Sequence, residues 1–215
     1  MTRLASPTPV TLIGGGPLPP EDLHAALALA PTVAAADAGA DRALAHGLVP
    51  EAVWGDFDSI SAAARAAIPS ERLHHIAEQD STDFEKSLAR IAAPLVVAVG
   101  FSGARHDHFL SVMNVLARRV GPPTLVLAGE DVITLAPPRL VLPLDPGTRL
   151  SLFPMGLARG RSQGLRWPIE GLELASAGRI ATSNEATGPV DLAIEGPVLV
   201  ILPRATLPRL ARALG

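Results

Sequence analysis

Up to about residue 130 this chain alternates short apolar runs with helix-like stretches, and that alternation limits what it can fold into. Val10-Thr11-Leu12-Ile13 is ended by Gly14-Gly15-Gly16, and a helical stretch from Pro20 to Leu29 follows, with proline near its start where the missing N–H costs least. Strand patterns recur at Val33–Ala36, Ala52–Trp54, Leu73–Ala77, Leu95–Val99 and Thr124–Ala128. Between them lie predicted helices over Gly39–His46, Asp83–Ala92 and Asp107–Arg119. The second should bury Phe84, Leu88 and Ile91, and the third Leu110, Met113 and Leu116. Such a pattern predicts an N-terminal α/β domain, Rossmann-like, with a mostly parallel sheet.

Beyond about Asp131 the texture changes. Pro137-Pro138, Pro143, Pro146, Pro154 and Pro168 cut the chain into short pieces. Leu140–Leu142, Arg149–Phe153, Val190–Ile194 and Val198–Leu202 read as strands, and Leu207–Leu214 as a closing helix. The expectation is a small antiparallel β-sandwich, giving domains of 1–130 and 131–215. No repeat of 20–50 residues and no low-complexity tract interrupts the pattern.

The polar residues share one address in this scheme. Asp37, Asp56 and Asp58 fall at or just beyond strand ends, and Asp83 opens a helix after another strand. Arg105, Asp107 and His108 follow the Leu95–Val99 strand across Gly100–Gly103, a turn suited to cradling phosphate. Ligands of open α/β sheets bind at the carboxyl ends of strands, so these stretches should converge. Asp56 and Asp58, two apart in extended chain, can face one ion, although a polar turn after a strand would look the same.

Lys86 is the sole lysine among 18 basic residues, the other 17 being arginine. A surface pair with Asp83 would tolerate arginine; a compact ammonium at a phosphate would not. Thr82 and Glu85 fit a capping box and are read as structural. His106 and His108 read as local hydrogen-bonders, Trp54 as core, and Trp167 as filling the core of the second domain.

A net charge of −3 and 3% aromatics argue against a nucleic-acid surface. The absence of cysteine excludes disulfides and cysteine-based zinc sites. No apolar run is long enough to span a bilayer, and the first residues lack a signal-peptide core, so a soluble cytoplasmic protein is expected.

With these residues laid out, the chain resembles the thiamine pyrophosphokinases. The likeness rests on Asp37-Ala38-Gly39-Ala40, Gly55-Asp56-Phe57-Asp58-Ser59, Gln79–Lys86, Gly100–His108, Gly164–Trp167 and Ser183-Asn184, in order. Two positions depart from the family pattern: Ala38 and Ala104 stand where the family has glycine. The resemblance implies transfer of pyrophosphate from ATP to the hydroxyl of thiamine, releasing AMP, by a homodimer with its sites at the subunit interface. It implies Mg²⁺ on Asp56, Asp58 and Asp83, and a nucleotide and pyrophosphate site of Asp37, Gln79, Asp80, Lys86, Arg105 and Asp107. Ser183, Asn184 and Trp167 would contact thiamine, with the partner subunit as one source of those contacts. Asp83 and Asp107 both remain open as acceptor of the hydroxyl proton. The rival readings are a pyrophosphokinase for another alcohol such as a pterin, a haloacid-dehalogenase-like phosphatase with Asp56 as its nucleophile, and a nucleotide-binding regulator without catalysis.

Overall fold

The computed structural model describes residues 3–215. Its chain is a mixed α/β fold in two compact units, one running to Val115 and including Arg119–Ala128, the other comprising Leu116–Arg118 and Gly129–Gly215.

The first unit contains β1 (Leu4–Ala5), β2 (Val10–Ile13), α1 (Pro20–Leu29), β3 (Thr32–Ala36), α2 (Gly39–Ala45), β4 (Ala52–Gly55), α3 (Ala62–Ala67), β5 (Leu73–His75), α4 (Asp83–Leu88), β6 (Ile91–Ala92), β7 (Val96–Val99), all but the last two residues of α5 (His106–Ala117) and β8 (Thr124–Ala128). Six of its strands pair in parallel in the order β5-β4-β3-β2-β7-β8. β2, β4 and β7 are buried along their whole length, as a parallel sheet covered on both faces requires. Strand order reverses at β2: the chain first adds β3, β4 and β5 on one side, then returns with β7 on the other. The β2–β7 boundary is thus a topological switch point, where strand-exit loops part and leave a crevice.

Those two loops explain the glycine runs. Gly14 N–H donates to the Val99 carbonyl and Gly16 N–H to the Gly100 carbonyl, each at 2.8 Å. A Cβ at Gly14 or Gly16 would lie 2.6 or 2.7 Å from the Gly100 oxygen. Gly39 is tighter still, since its Cβ would come within 2.0 Å of the Ile13 carbonyl oxygen. Backbone cannot yield there as a side chain could, so Gly39→Ala should lower stability by about 1–3 kcal/mol, read as a fall in the denaturant midpoint.

Several expectations need correction. The helix predicted over Asp83–Ala92 stops at Leu88, and Ile91–Ala92 instead pairs in parallel with Leu4–Ala5. Phe84, Leu88 and Ile91 are all buried as predicted, but Ile91 reaches the core from a strand. Leu110 is 66% exposed, and α5 buries Val112, Met113, Val115 and Leu116 instead. The strand predicted over Leu73–Ala77 ends at His75. The sequence reading did not anticipate α3, whose alanines carry no apolar stripe. Its start is marked by Ser61, whose Oγ accepts from Ala64 N–H at 3.0 Å.

In the second unit lie β9 (Asp131–Leu135), β10 (Arg139–Leu142), β11 (Arg149–Pro154), β12 (Arg159–Leu165), β13 (Ala181–Glu195), β14 (Val198–Pro203) and α6 (Leu207–Leu214). All of its pairings are antiparallel: β9-β14-β11-β13-β10, with β12 also on β13. β9 and β12 were not foreseen, and β13 spans 15 residues where only Val190–Ile194 was read. Gly188-Pro189 hid its continuity, because proline cannot donate to a ladder. In this strand the pair sits between a first half bonded to β11 and a second half bonded to β10 and β12. α6 forms as predicted, burying Leu207, Leu210 and Ala211, and Arg209 ties it to the Pro143 carbonyl at 3.0 Å and to Asp145 at 2.8 Å. Among the described residues no helix is long and apolar enough to cross a membrane.

Candidate active site

At the carboxyl ends of the parallel strands lies a cleft of about 440 Å³. Its walls include Gly15 and Gly16 after β2, Asp37 and Ala38 after β3, Asp56 and Ser59 after β4, Gln79, Asp83 and Lys86 around the start of α4, and Phe101, Ala104 and Arg105 after β7. The convergence expected from strand ends is therefore present. Asp58, Asp80 and Asp107 do not line the cleft wall.

Asp37 terminates β3 in a left-handed conformation, φ 42°, with its N–H donating to the Trp54 carbonyl at 2.9 Å. Gly55 makes room for it, since a Cβ there would lie 2.7 Å from the Asp37 Cβ. Asp37 is only 3% exposed, and its Oδ1 has no hydrogen-bond partner among the described residues. Burial, followed by the charge of Asp83, raises its pKa. One carboxylate oxygen from each of Asp37, Asp56 and Asp58 lies within 4.8 Å of the others. Three hard oxygen donors, one buried and unsatisfied, fit a magnesium ion.

Asp56 accepts a hydrogen bond from Gln79 Nε2 at 2.9 Å and one from Asp58 N–H at 3.2 Å. The Gln79 bond is the main cause of its lowered pKa. Asp58 accepts from the Ser59 hydroxyl at 2.7 Å. Asp80 takes part through its backbone, donating to Glu78 Oε2 at 2.9 Å, while its side chain is exposed.

Thr82 caps α4, its Oγ1 accepting from Glu85 N–H at 3.3 Å, so half of the expected capping box is seen directly. Asp83 follows at the first helical position, and Lys86, one turn on, places Nζ 3.4 Å from its Oδ1. Lys86 is only 2% exposed, so the lone lysine is a buried cation facing a cleft rather than a surface one. Burial raises the pKa of Asp83, with Lys86 opposing. Phe84 and Phe101 meet edge to face beside it, ring centres 4.7 Å apart.

Arg105 grips Asp107 with two bonds, Nε to Oδ1 at 3.1 Å and a terminal nitrogen to Oδ2 at 2.5 Å. That grip lowers the Asp107 pKa to about 2. His108, in the first turn of α5, lines the cleft as its place after the Leu95–Val99 strand suggested. Ser59, Ser81 and Ser111 also line it and were not singled out, although Ser59 and Ser81 stand inside the motifs.

Trp167, Ser183 and Asn184 form their own cluster in the second unit. Asn184, 4% exposed, accepts from Trp167 N–H at 3.2 Å and Glu185 N–H at 2.8 Å, and donates to the Trp167 carbonyl at 2.7 Å. With its backbone so clamped, the Trp167 ring turns outward and is 55% exposed, under the Arg166 guanidinium at 5.2 Å. The expectation of a core tryptophan is thus wrong here, whereas Trp54 is fully buried as expected. Ser183 has φ 58°, and its N–H donates to Ser151 Oγ at 2.9 Å.

Residues 23–124 match the family model for the thiamin pyrophosphokinase catalytic domain. The chain is 28% identical over 155 residues to thiamin pyrophosphokinase 1 of Caenorhabditis elegans, covering 64% of this chain and 63% of that protein. It is 27% identical over 154 residues to thiamine pyrophosphokinase 1 of Oryza sativa subsp. japonica, covering 63% and 58%. The chain thus spans less than two thirds of the length of these relatives. The thiamin pyrophosphokinase structure from Candida albicans superposes with a TM-score of 0.76 over 94% of this chain and 93% of its own, a likeness of fold at 14% identity. The resemblance carried by the motifs is therefore borne out: over residues 23–124 the chain is similar to the thiamin pyrophosphokinase catalytic domain.

Proposed function

We propose that this protein is a thiamine pyrophosphokinase, transferring the pyrophosphoryl group of ATP to the hydroxyl of thiamine and releasing AMP. The observation that carries this reading is the convergence of Asp37, Asp56, Gln79, Asp83, Lys86 and Arg105 on one cleft within the matched catalytic domain. Nothing found supports the pterin, phosphatase or regulator readings.

Asp37, Asp56 and Asp58 would hold Mg²⁺, leaving the Asp83 carboxylate free of the ion beside them. The ion would supply neutralisation of the triphosphate and polarisation of the β-phosphorus. Lys86 brings a buried ammonium to the same phosphates, and Arg105 a second cation at the rim. Gln79 orients Asp56. The hydroxyl oxygen attacks the β-phosphorus in line with the departing AMP oxygen, and its proton passes to Asp83. Asp83 suits that role because burial keeps its carboxyl basic, while Asp107, pulled down to about 2 by Arg105, is a weak base that instead braces Arg105. The Glu78 carboxylate orders the loop carrying Gln79 by accepting from the N–H groups of Asp80 and Ser81. On this reading the first unit, to about residue 130, is a Rossmann-like nucleotide domain. The second, from 131, is a β-sandwich whose exposed Trp167 ring and Ser183 hydroxyl meet the cationic thiamine, with Asn184 holding Trp167 in place. The enzyme works in the cytoplasm as a homodimer.

The test is incubation with ATP, Mg²⁺ and thiamine, following AMP and thiamine diphosphate. The expected result is equimolar AMP and thiamine diphosphate, both requiring thiamine. Free phosphate with a trappable aspartyl-phosphate would establish the phosphatase instead.

A further inference from the structure

Asp56 and Asp58 are held apart by Phe57, a residue in the left-handed region at φ 62° that disfavours any side chain with a Cβ. Its carbonyl accepts a hydrogen bond from a terminal nitrogen of Arg65. The same guanidinium lies 5.5 Å from the centre of the Phe57 ring, and that ring has His75 5.7 Å away. The oxygen of the Phe57–Asp58 peptide is thus gripped from one side. Its N–H points the other way, as in any trans peptide, and donates to Asp56 Oδ1 at 3.2 Å. Arg65 therefore acts on one end of a peptide unit whose other end orients Asp56.

The support behind Arg65 is firm. α3 starts at Ser61, whose N–H and hydroxyl both donate to Asp41 of α2, the former at 3.0 Å. Ile60, Ala64 and Ile68 bury against Ala35, Ala40 and Val53, and Phe57 packs on that cluster. Arg65 lies outside the motifs that carry the family resemblance.

We infer that Arg65 is a positioning residue that fixes the Phe57–Asp58 peptide, and so sets the carboxylates of Asp56 and Asp58 at the spacing that gathers a divalent cation with Asp37. This rests on the proposed reading of these carboxylates as the Mg²⁺ site. Arg65 touches neither ion nor substrate, so its effect is on metal affinity. Arg65→Met keeps an apolar stem over the ring and removes the donors. Titrating Mn²⁺ alone, with the free ion read by electron paramagnetic resonance, should show a dissociation constant about tenfold higher than wild type, the lower end for groups that orient metal ligands. Arg65→Lys, which still donates to the carbonyl, should bind with intermediate affinity. Denaturation midpoints without metal, measured alongside, confirm that each variant is folded at the titration temperature. If Arg65→Met is not folded, the Lys variant decides alone. Folded variants that bind Mn²⁺ as wild type does would overturn the inference and leave the proposed function standing. A wild type that binds no Mn²⁺ would overturn both.

Discussion

Lys86→Met should lower the rate of AMP formation by about 10²–10³-fold, the scale seen when one preorganised charge is removed from a reaction centre. The chain should still fold, because methionine has a similar length and volume in a site that is already buried. Asp83 loses its ion-pair partner, yet its side chain is 35% exposed and can hydrate or take a proton. Lys86→Arg should also be slow, for a different reason. A planar guanidinium is larger than the ammonium it replaces, and at 2% exposure it displaces packed neighbours, costing about 1–3 kcal/mol of stability. Steady-state rates beside thermal midpoints separate the two: methionine affects rate alone, arginine both. Wild-type turnover in the arginine variant would remove the reason for a lone lysine at this position.

Asp37→Asn should move stability and activity in opposite directions. The buried carboxylate has an oxygen without a partner, so in the metal-free protein its charge is a cost. The amide removes that buried charge and its repulsion by Asp83, Asp58 and Asp56, so it should raise metal-free stability while cutting turnover by about a hundredfold or more. The pH dependence fixes the sign. The folded pKa of Asp37 is raised above the ordinary value of 3.8, so between those two values the folded chain holds more protons than the unfolded one. Stability from this group therefore falls as pH rises through that window. The gap between Asn variant and wild type should be full at pH above the raised pKa and close as pH drops toward 3.8. Saturating Mg²⁺ should narrow it, because the ion binds only the folded wild-type site. Denaturant melts at several pH values, with and without Mg²⁺, check all three statements. A variant less stable than wild type at neutral pH would show that Asp37 is a satisfied structural residue.

Much of the first unit could be read from sequence. Runs such as Val10–Ile13 and Thr124–Ala128 are apolar but for one threonine each, and helices such as Pro20–Leu29 begin with proline where a helix tolerates it. The failures have physical causes. Ile91 continues the helical spacing of Phe84 and Leu88, but burial is available to it in a strand beside Leu4–Ala5, and the helix yields. Leu110 fits the stripe of α5 by spacing, yet it stays 66% exposed among the described residues. Trp167 looks like core by residue type, and only the side-chain clamp of Asn184 on its backbone turns the ring outward.

The site divides the same way. The sequence by itself determined which groups are present: aspartates at strand ends, one lysine among arginines, and glycines where two loops must approach. Spacing and residue type carry that information because they act locally. Only the tertiary structure decided how those groups stand to one another. It buried Lys86 beside Asp83, left one carboxylate oxygen of Asp37 without a partner among the described residues, drew Asp37 toward Asp56 and Asp58, and bound Asp107 to Arg105. Burial and electrostatic coupling depend on what distant segments bring into contact, and no local pattern encodes them.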